Sequence, residues 1–174
     1  MLLEVDIYHL EGQYERGVQR LSTLLSLIRS KMFEMERRPN DMLEENLQAL
    51  LELEAVANMK IGVLYMKSGR QELSERYLKK AVETATKWIG EFQPVSGEIY
   101  FQLREFYVKF EDYEKGVFNG KKSLAIRLNI LGEHSVETGE SYKGLGLAQM
   151  KNKEYEVALK NLGEALRIVE AIYS

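Results

Sequence analysis

The side chains that could do covalent chemistry are few in this sequence, and their spacing does not assemble them. The 174 residues contain no cysteine and two histidines, His9 and His134. Without cysteine there is no disulfide framework, thiolate nucleophile or thiolate metal site. Two histidines alone make no multi-histidine metal site, and no His-Glu-x-x-His occurs. Gly144-Leu145-Gly146 lacks the third glycine and the preceding strand of a dinucleotide site, and no Gly-x-x-x-x-Gly-Lys-Ser/Thr loop is present. The carboxylates scatter over helical faces, where solvation and i,i+4 pairing with lysine account for them. His134 falls in a turn between repeating units, and His9 closes the first helix. A helix-capping or packing role is expected of His134, and an exposed or cap-side imidazole at His9. The expectation is therefore a chain that is not an enzyme, with no catalytic residues, no metal site and no cofactor.

Composition narrows the remaining classes. A net charge of −3 and a pI near 5.6 argue against nucleic-acid binding, which needs a basic surface. No apolar run approaches the ~18 residues of a membrane span. The opening Met1-Leu2-Leu3-Glu4 is too acidic for a signal peptide, and no Asn-x-Ser/Thr acceptor occurs. These features lead to the expectation of a cytoplasmic protein that uses neither membrane nor nucleic acid. Hydrophobic residues make up 45%, enough to bury a core.

The elements that position these residues read as helices. Only Pro39 and Pro94 interrupt a chain rich in Leu, Glu, Lys and Ala. Near the C-terminus Tyr155, Leu159, Leu162, Leu166 and Val169 recur at steps of three and four, a helical stripe. Shifting the sequence by 42 superimposes Gly90 on Gly132, Gly97 on Gly139, Tyr100 on Tyr142, Tyr113-Glu114 on Tyr155-Glu156 and Ile126 on Ile168. Three successive units of that length fit 48–89, 90–131 and 132–173. Tyr8, Gly12, Tyr14, Gly17 and Leu21 match Tyr65, Gly69, Gln71, Ser74 and Leu78 at an offset of 57, so 1–47 reads as a degenerate further hairpin and 48–174 as three repeats. Expected helices are 2–11, 13–37, 41–68, 71–89, 96–110, 113–131, 135–151 and 154–173. Pro39 breaks the chain, and Asn40 or Asp41 with Glu44 caps the third helix. A seam of Leu43, Leu47, Leu50, Ala57, Ile61 and Leu64 should face Leu21, Leu24, Leu25, Ile28, Met32 and Met35. Ala81, Ala158 and Ala165 mark close helix contacts. In the middle unit Arg104 takes a small-residue position, opposite Gly116 and Gly120. A volume exchange explains this, and an arginine aimed at a ligand is the alternative.

Tyr142-x-x-Leu145-Gly146 followed by Tyr155, Ala158, Leu162 and Ala165, and Ile61-Gly62-x-x-Tyr65 followed by Gly69, Ser74, Leu78 and Ala81, resemble the tetratricopeptide repeat (TPR) family. The 42-residue period and the link Leu131-Gly132-Glu133-His134-Ser135 resemble the variant of kinesin light chains, with Ser135 where that link has proline. The resemblance implies an all-α superhelix of about four helical hairpins, eight helices in all. It also implies a non-catalytic module that binds a protein or peptide partner in a concave groove, as a segment of a larger adaptor. The alternatives are a scaffold that assembles through its end faces and a regulatory domain of a multidomain protein.

In such an array the first helix of each unit lines the groove. The expected groove residues are Val56, Met59, Lys60, Val63, Met66 and Lys67 in the first unit. The second unit contributes Glu98, Phe101, Gln102, Glu105, Val108 and Lys109, and the third Glu140, Lys143, Leu147, Met150 and Lys151. Two patterns stand out. One is an apolar strip with several methionines, suited to varied partners. The other is a lysine that recurs once per unit, at Lys67, Lys109 and Lys151. The lysines could meet acidic groups or offset helix dipoles. Val63 and Gln102 stand where co-chaperone members of the family carry clamp asparagines, so that carboxylate clamp is not expected. Leu166, Ile168, Val169, Ile172 and Tyr173 are more apolar residues than one buried stripe needs. Either further elements cover that face or a second chain does, so self-association is a possibility.

Overall fold

In the computed structural model, which describes residues 2–37 and 43–173, all regular structure among the described residues is helical. The elements are α1 (Leu2–Leu10), α2 (Tyr14–Arg37), α3 (Leu43–Lys67), α4 (Gln71–Thr84), α5 (Pro94–Lys109), α6 (Tyr113–Leu131), α7 (Val136–Lys151) and α8 (Tyr155–Tyr173). Seven of the expected helices are found with small shifts at their ends. The fourth differs: α4 stops at Thr84 and continues as a π-helical turn, Ala85–Ile89, before Gly90 (φ +112°) ends it. The expected break at Pro39 and cap at Asn40 or Asp41 lie outside the described residues, as does the Glu44 side chain.

One turn is used four times. Gly12, Gly69, Glu111 and Lys153 have φ of +71°, +77°, +65° and +63°, the left-handed region. In each turn the next residue's N–H donates to the carbonyl five residues back: Gln13 to Tyr8 (2.8 Å), Arg70 to Tyr65, Asp112 to Tyr107 and Glu154 to Gln149 (2.9 Å each). The left-handed residue itself donates three residues back, at 3.2–3.3 Å. This is the Schellman arrangement, which satisfies the last carbonyls of one helix while reversing the chain. Downstream, Asp112 caps α6 by accepting from the Lys115 N–H, and Ser135 caps α7 by accepting from Thr138.

The chain divides into two compact units, Met1–Gly90 and Glu91–Ser174. In the first, α1 packs on α2, α2 on α3 and α3 on α4. Its core is Val5, Leu21, Leu25, Ala57, Ile61 and Leu64. The expected seam between α2 and α3 is present among the described side chains, which exclude Leu43, with one correction: Leu51, not Leu50, is buried, while Leu47 and Leu50 are half-buried. In the second unit α5 pairs with α6, α6 with α7 and α7 with α8, and α5 also touches α7.

Close approach within each hairpin depends on one small residue. A Cβ on Gly62 would lie 2.7 Å from Leu78 Cγ, and one on Gly146 would lie 2.8 Å from Leu162 Cγ. Those two contacts occupy the same register two repeats apart. Halfway between them the pair is inverted: Arg104 takes the glycine place, Gly120 the leucine place, and a Cβ on Gly120 would lie 3.1 Å from Arg104 Cδ. The expected volume exchange is therefore there, but it runs through Gly120 and not Gly116. The side chain nearest to a Cβ placed on Gly116 is Val108, at 3.0 Å.

These contacts set the expected response to substitution. Glu111→Gly and Lys153→Gly should each raise stability by roughly 0.5–1 kcal/mol, since an L side chain is disfavoured at positive φ. A thermal melt that falls for both would contradict the turn geometry. Ala158, wholly buried with its carbonyl 3.1 Å from a Gly146 Cβ position, should not accept a larger side chain. Ala158→Leu should cost about 1–3 kcal/mol by overpacking, read as a lowered denaturation midpoint.

Candidate functional site

The least ordinary site chemistry lies between α5, α6 and α7. Arg104 on α5 and Arg127 on α6 are both buried, and both guanidinium carbons lie close to the Phe101 ring centroid, at 4.4 and 4.5 Å. Arg127 Nη1 donates to the Glu137 carbonyl (2.9 Å) and to Ser141 Oγ (3.0 Å), and its Nη2 donates to Glu98 Oε2 (2.5 Å). Arg104 Nη1 pairs with Glu105 Oε1 at 2.6 Å, while its Nε is buried without a partner. Burial lowers the Arg104 pKa from its ordinary value; Glu105 opposes that shift and the neighbouring Arg127 charge adds to it. Each guanidinium over the half-buried Phe101 ring contributes about 0.5–2 kcal/mol, which offsets part of the cost of taking these charges out of water.

This network occupies most of the α5 face. Glu98 holds Arg127 and also accepts from Gln102 Nε2 at 2.7 Å. Phe101 is half-buried between its cations, Glu105 is tied to Arg104, and Val108 is half-buried beside Gly116. Lys109 is exposed at the helix end. On α7 the outcome is different: Glu140, Lys143, Leu147, Met150 and Lys151 are all exposed. Lys143, Leu147, Met150 and Lys151 stand at helical spacing, so they share one face.

In the first unit the expected strip divides. Met59 and Met66 are buried, and Val56 and Val63 are half-buried, so the methionines there serve packing rather than facing solvent. Lys60 is half-buried and paired with Asp6 of α1. Lys67, Lys109 and Lys151 are each exposed and each the last residue of its helix, where a cation offsets the helix dipole. Among the described residues no group of three or more His, Cys, Asp or Glu could hold a metal ion. No helix among them is long and apolar enough to cross a membrane.

Arg127 is the residue that sequence reasoning missed. A signal was available, because the 42-residue shift places Arg127 over Ala85 and Val169. Charge appears there only in the unit that also carries Arg104 in place of Gly62 and Gly146. Two anomalies in one unit, on adjacent helices, point to each other.

With the fold and these faces defined, the chain can be set beside known proteins. It has a TPR-like helical repeat fold: 94% of it superimposes on 66% of BtubC from P. vanneervenii with a TM-score of 0.67 at 17% identity. It also superimposes over 97% of its length on 93% of a putative kinesin light chain from Podosopora anserina with nearly identical TPR-like repeats, with a TM-score of 0.60 at 13% identity. Among curated proteins it is 24% identical over 168 residues to the RxLR effector protein SFI4 of Phytophthora infestans. That match covers 97% of this chain, which spans 45% of the effector's length. No family model matches the sequence.

The Arg104 stack generates a prediction with an unusual sign. Gly144 lies under the guanidinium, and a Cβ there would meet Arg104 Cζ well inside contact distance. On helix propensity alone Gly144→Ala should gain about 1 kcal/mol. Here it should lose roughly 1–3 kcal/mol through overpacking. In an Arg104→Met background, with no guanidinium, the same change should cost far less. A double-mutant cycle from denaturation midpoints reads the coupling, and additive effects would show that Arg104 does not pack on Gly144.

Proposed function

We propose that this chain is a non-catalytic protein-interaction module that binds a peptide or helix of a protein partner along the groove face of its first-in-pair helices, as one part of a larger adaptor. The observation that carries this reading is on α7, where Leu147 and Met150 are each 47% exposed on a face shared with Lys143 and Lys151. Apolar side chains flanked by lysine suit a segment with apolar anchors and acidic neighbours. Methionine adapts to different anchors. The TPR-like fold supports a protein partner. The likeness to an RxLR effector protein, through less than half of that protein, fits a module that works beside other segments. In repeat terms we read 1–47 as a degenerate hairpin that leads into three 42-residue repeats in 48–174. For the compartment, the cytoplasm is our proposal.

The test is affinity capture with the whole chain, followed by mapping of the bound segment. Leu147→Glu with Met150→Glu is the informative variant, because both side chains are exposed and the melt should not change. Phe101→Glu would instead break the arginine stack and confuse folding with binding. Capture of the mapped segment should fall at least about tenfold, as expected on losing interface anchors. Undiminished capture would refute the groove reading.

A further inference from the structure

One repeat lacks the aromatic residue that the other two carry at a shared position. The 42-residue shift places Asn58 of α3 where α5 has Tyr100 and α7 has Tyr142. Tyr100 is 5% exposed, and the ammonium of Lys122 lies 5.0 Å from its ring centroid and 3.4 Å from its hydroxyl. The same shift places Lys80 of α4 on Lys122. The first unit thus keeps the lysine and loses the phenol ring beneath it. Between Asn58 and Lys80 lies a cavity of about 230 Å³, with Trp88 also in its wall. About 150 Å³ suffices for a benzene ring, whereas drug-sized ligands take about 300 Å³ or more. This cavity has the size for one substituted ring.

The walls specify what that ring must carry. Asn58 is 2% exposed, and its Nδ2 donates to the Glu54 carbonyl at 2.9 Å, which fixes the orientation of the amide. Its Oδ1 is buried without a partner, which costs free energy that a donor would recover. The charged side chains around the cavity are Arg29, Lys80 and Lys87 against Glu54 and Glu83, an excess of cations that disfavours a cationic donor. An anion would set unprotonated oxygens against Asn58 Oδ1. A neutral hydroxyl on an aromatic ring meets both conditions, and a ring also suits the Lys80 ammonium and the Trp88 indole. Trp88 is 58% exposed, with Lys87 Nζ 4.6 Å from its ring centroid. Both residues sit on the π-helical turn Ala85–Ile89, an irregularity of a kind frequent at functional sites. We propose that this cavity binds a neutral phenol, the ring of a tyrosine side chain or of a free small molecule, with its hydroxyl donating to Asn58 Oδ1 and its ring between Lys80 and Trp88. The cavity lies wholly within the first compact unit and does not depend on the α7 reading.

The experiment follows the indole N–H signal of Trp88, the one tryptophan of the chain, in NMR spectra of the whole chain. The probes are p-cresol, which is the tyrosine side chain alone, and 4-methylanisole, the same ring with the hydroxyl proton replaced by methyl. p-Cresol should shift the signal saturably and bind at least about tenfold more tightly than 4-methylanisole, because the ether leaves the buried acceptor unpaired. Asn58→Leu removes the acceptor at similar volume, and the two probes should then bind alike. Asn58→Tyr supplies the ring from the chain itself, as at Tyr100, and should abolish binding without lowering the thermal midpoint. Equal binding of the two probes to the unaltered chain, or no saturable shift with p-cresol, would overturn the proposal. Tighter binding of N-acetyl-phosphotyrosinamide than of p-cresol would overturn it too, by making the cavity an anion site. A peptide with one tyrosine among glycines separates the two sources. If it binds as p-cresol does, the phenol is a partner's tyrosine; if p-cresol binds and the peptide does not, it is a free small molecule.

Discussion

The hydrogen bond that spans five residues at each hairpin turn is the constraint on which the rest of the structure depends. It holds one residue left-handed and returns the chain against itself at a fixed phase. Because the turn is the same at Gly69, Glu111 and Lys153, a given position on the first helix of a pair always meets the same position on the second. Gly62 then meets Leu78, and Gly146 meets Leu162. A turn one residue longer would rotate the second helix by about 100° and bring a charged face inward. Glycine adopts this conformation at little steric cost at Gly69, while Glu111 and Lys153 hold it against their own preference. Packing along the pair must therefore outweigh the strain at those two turns.

The middle unit keeps the turn and changes what is packed. Inverting the glycine and leucine places gives a long side chain room to cross toward α7, and the residue that crosses is an arginine. A charge so placed needs neighbours, and it has them in Phe101, Glu105 and, through the shared ring, Arg127 with Glu98. The consequence bears on function. Residues on α5 that a sequence reader would offer to a ligand are already committed to one another, while the corresponding apolar side chains left exposed are those of α7. The same physical exchange that preserves the fold moves the available surface by one repeat.

Architecture was legible in the sequence because it is periodic. Glycines and small residues at fixed separation, aromatic residues before each turn and the stripe on α8 define helices and hairpins without any long-range information. The candidate site was legible only in part. Phe101, Glu98 and Glu105 were found as face residues, but their pairing depends on Arg127 from another helix, which no local pattern reveals. Met59 and Met66 have the same spacing from their turn as the exposed Lys143 and Met150, and their burial is a matter of what surrounds them. Leu51 replaces Leu50 in the seam for a similar reason: over a long helix, 3.6 residues per turn drifts away from any whole-number spacing. The π-helical turn at Ala85–Ile89 adds a local shift in phase that composition does not announce.

Equivalent positions diverge where one Cβ differs. Gly116 leaves space that Val108 enters from α5, with a methyl 3.0 Å from where a Cβ would be. At the corresponding place on α8 stands Ala158, and the residue corresponding to Val108 is Met150, 47% exposed. In the first unit the corresponding places hold Ser74 and Met66, and Met66 is buried, so the exposure of Met150 reflects what surrounds each helix rather than that one Cβ. Leu147, 47% exposed, corresponds to Glu105, which in the middle unit turns toward Arg104. With Gly146 in the place of Arg104, that position has no cation to turn toward, and an apolar side chain there remains on the outer face. The exposure of Leu147 thus follows from the same small-for-large exchange at the Arg104 position. A helix that is well packed against its partner is left with apolar side chains its own hairpin cannot absorb, and those are the ones another protein can use.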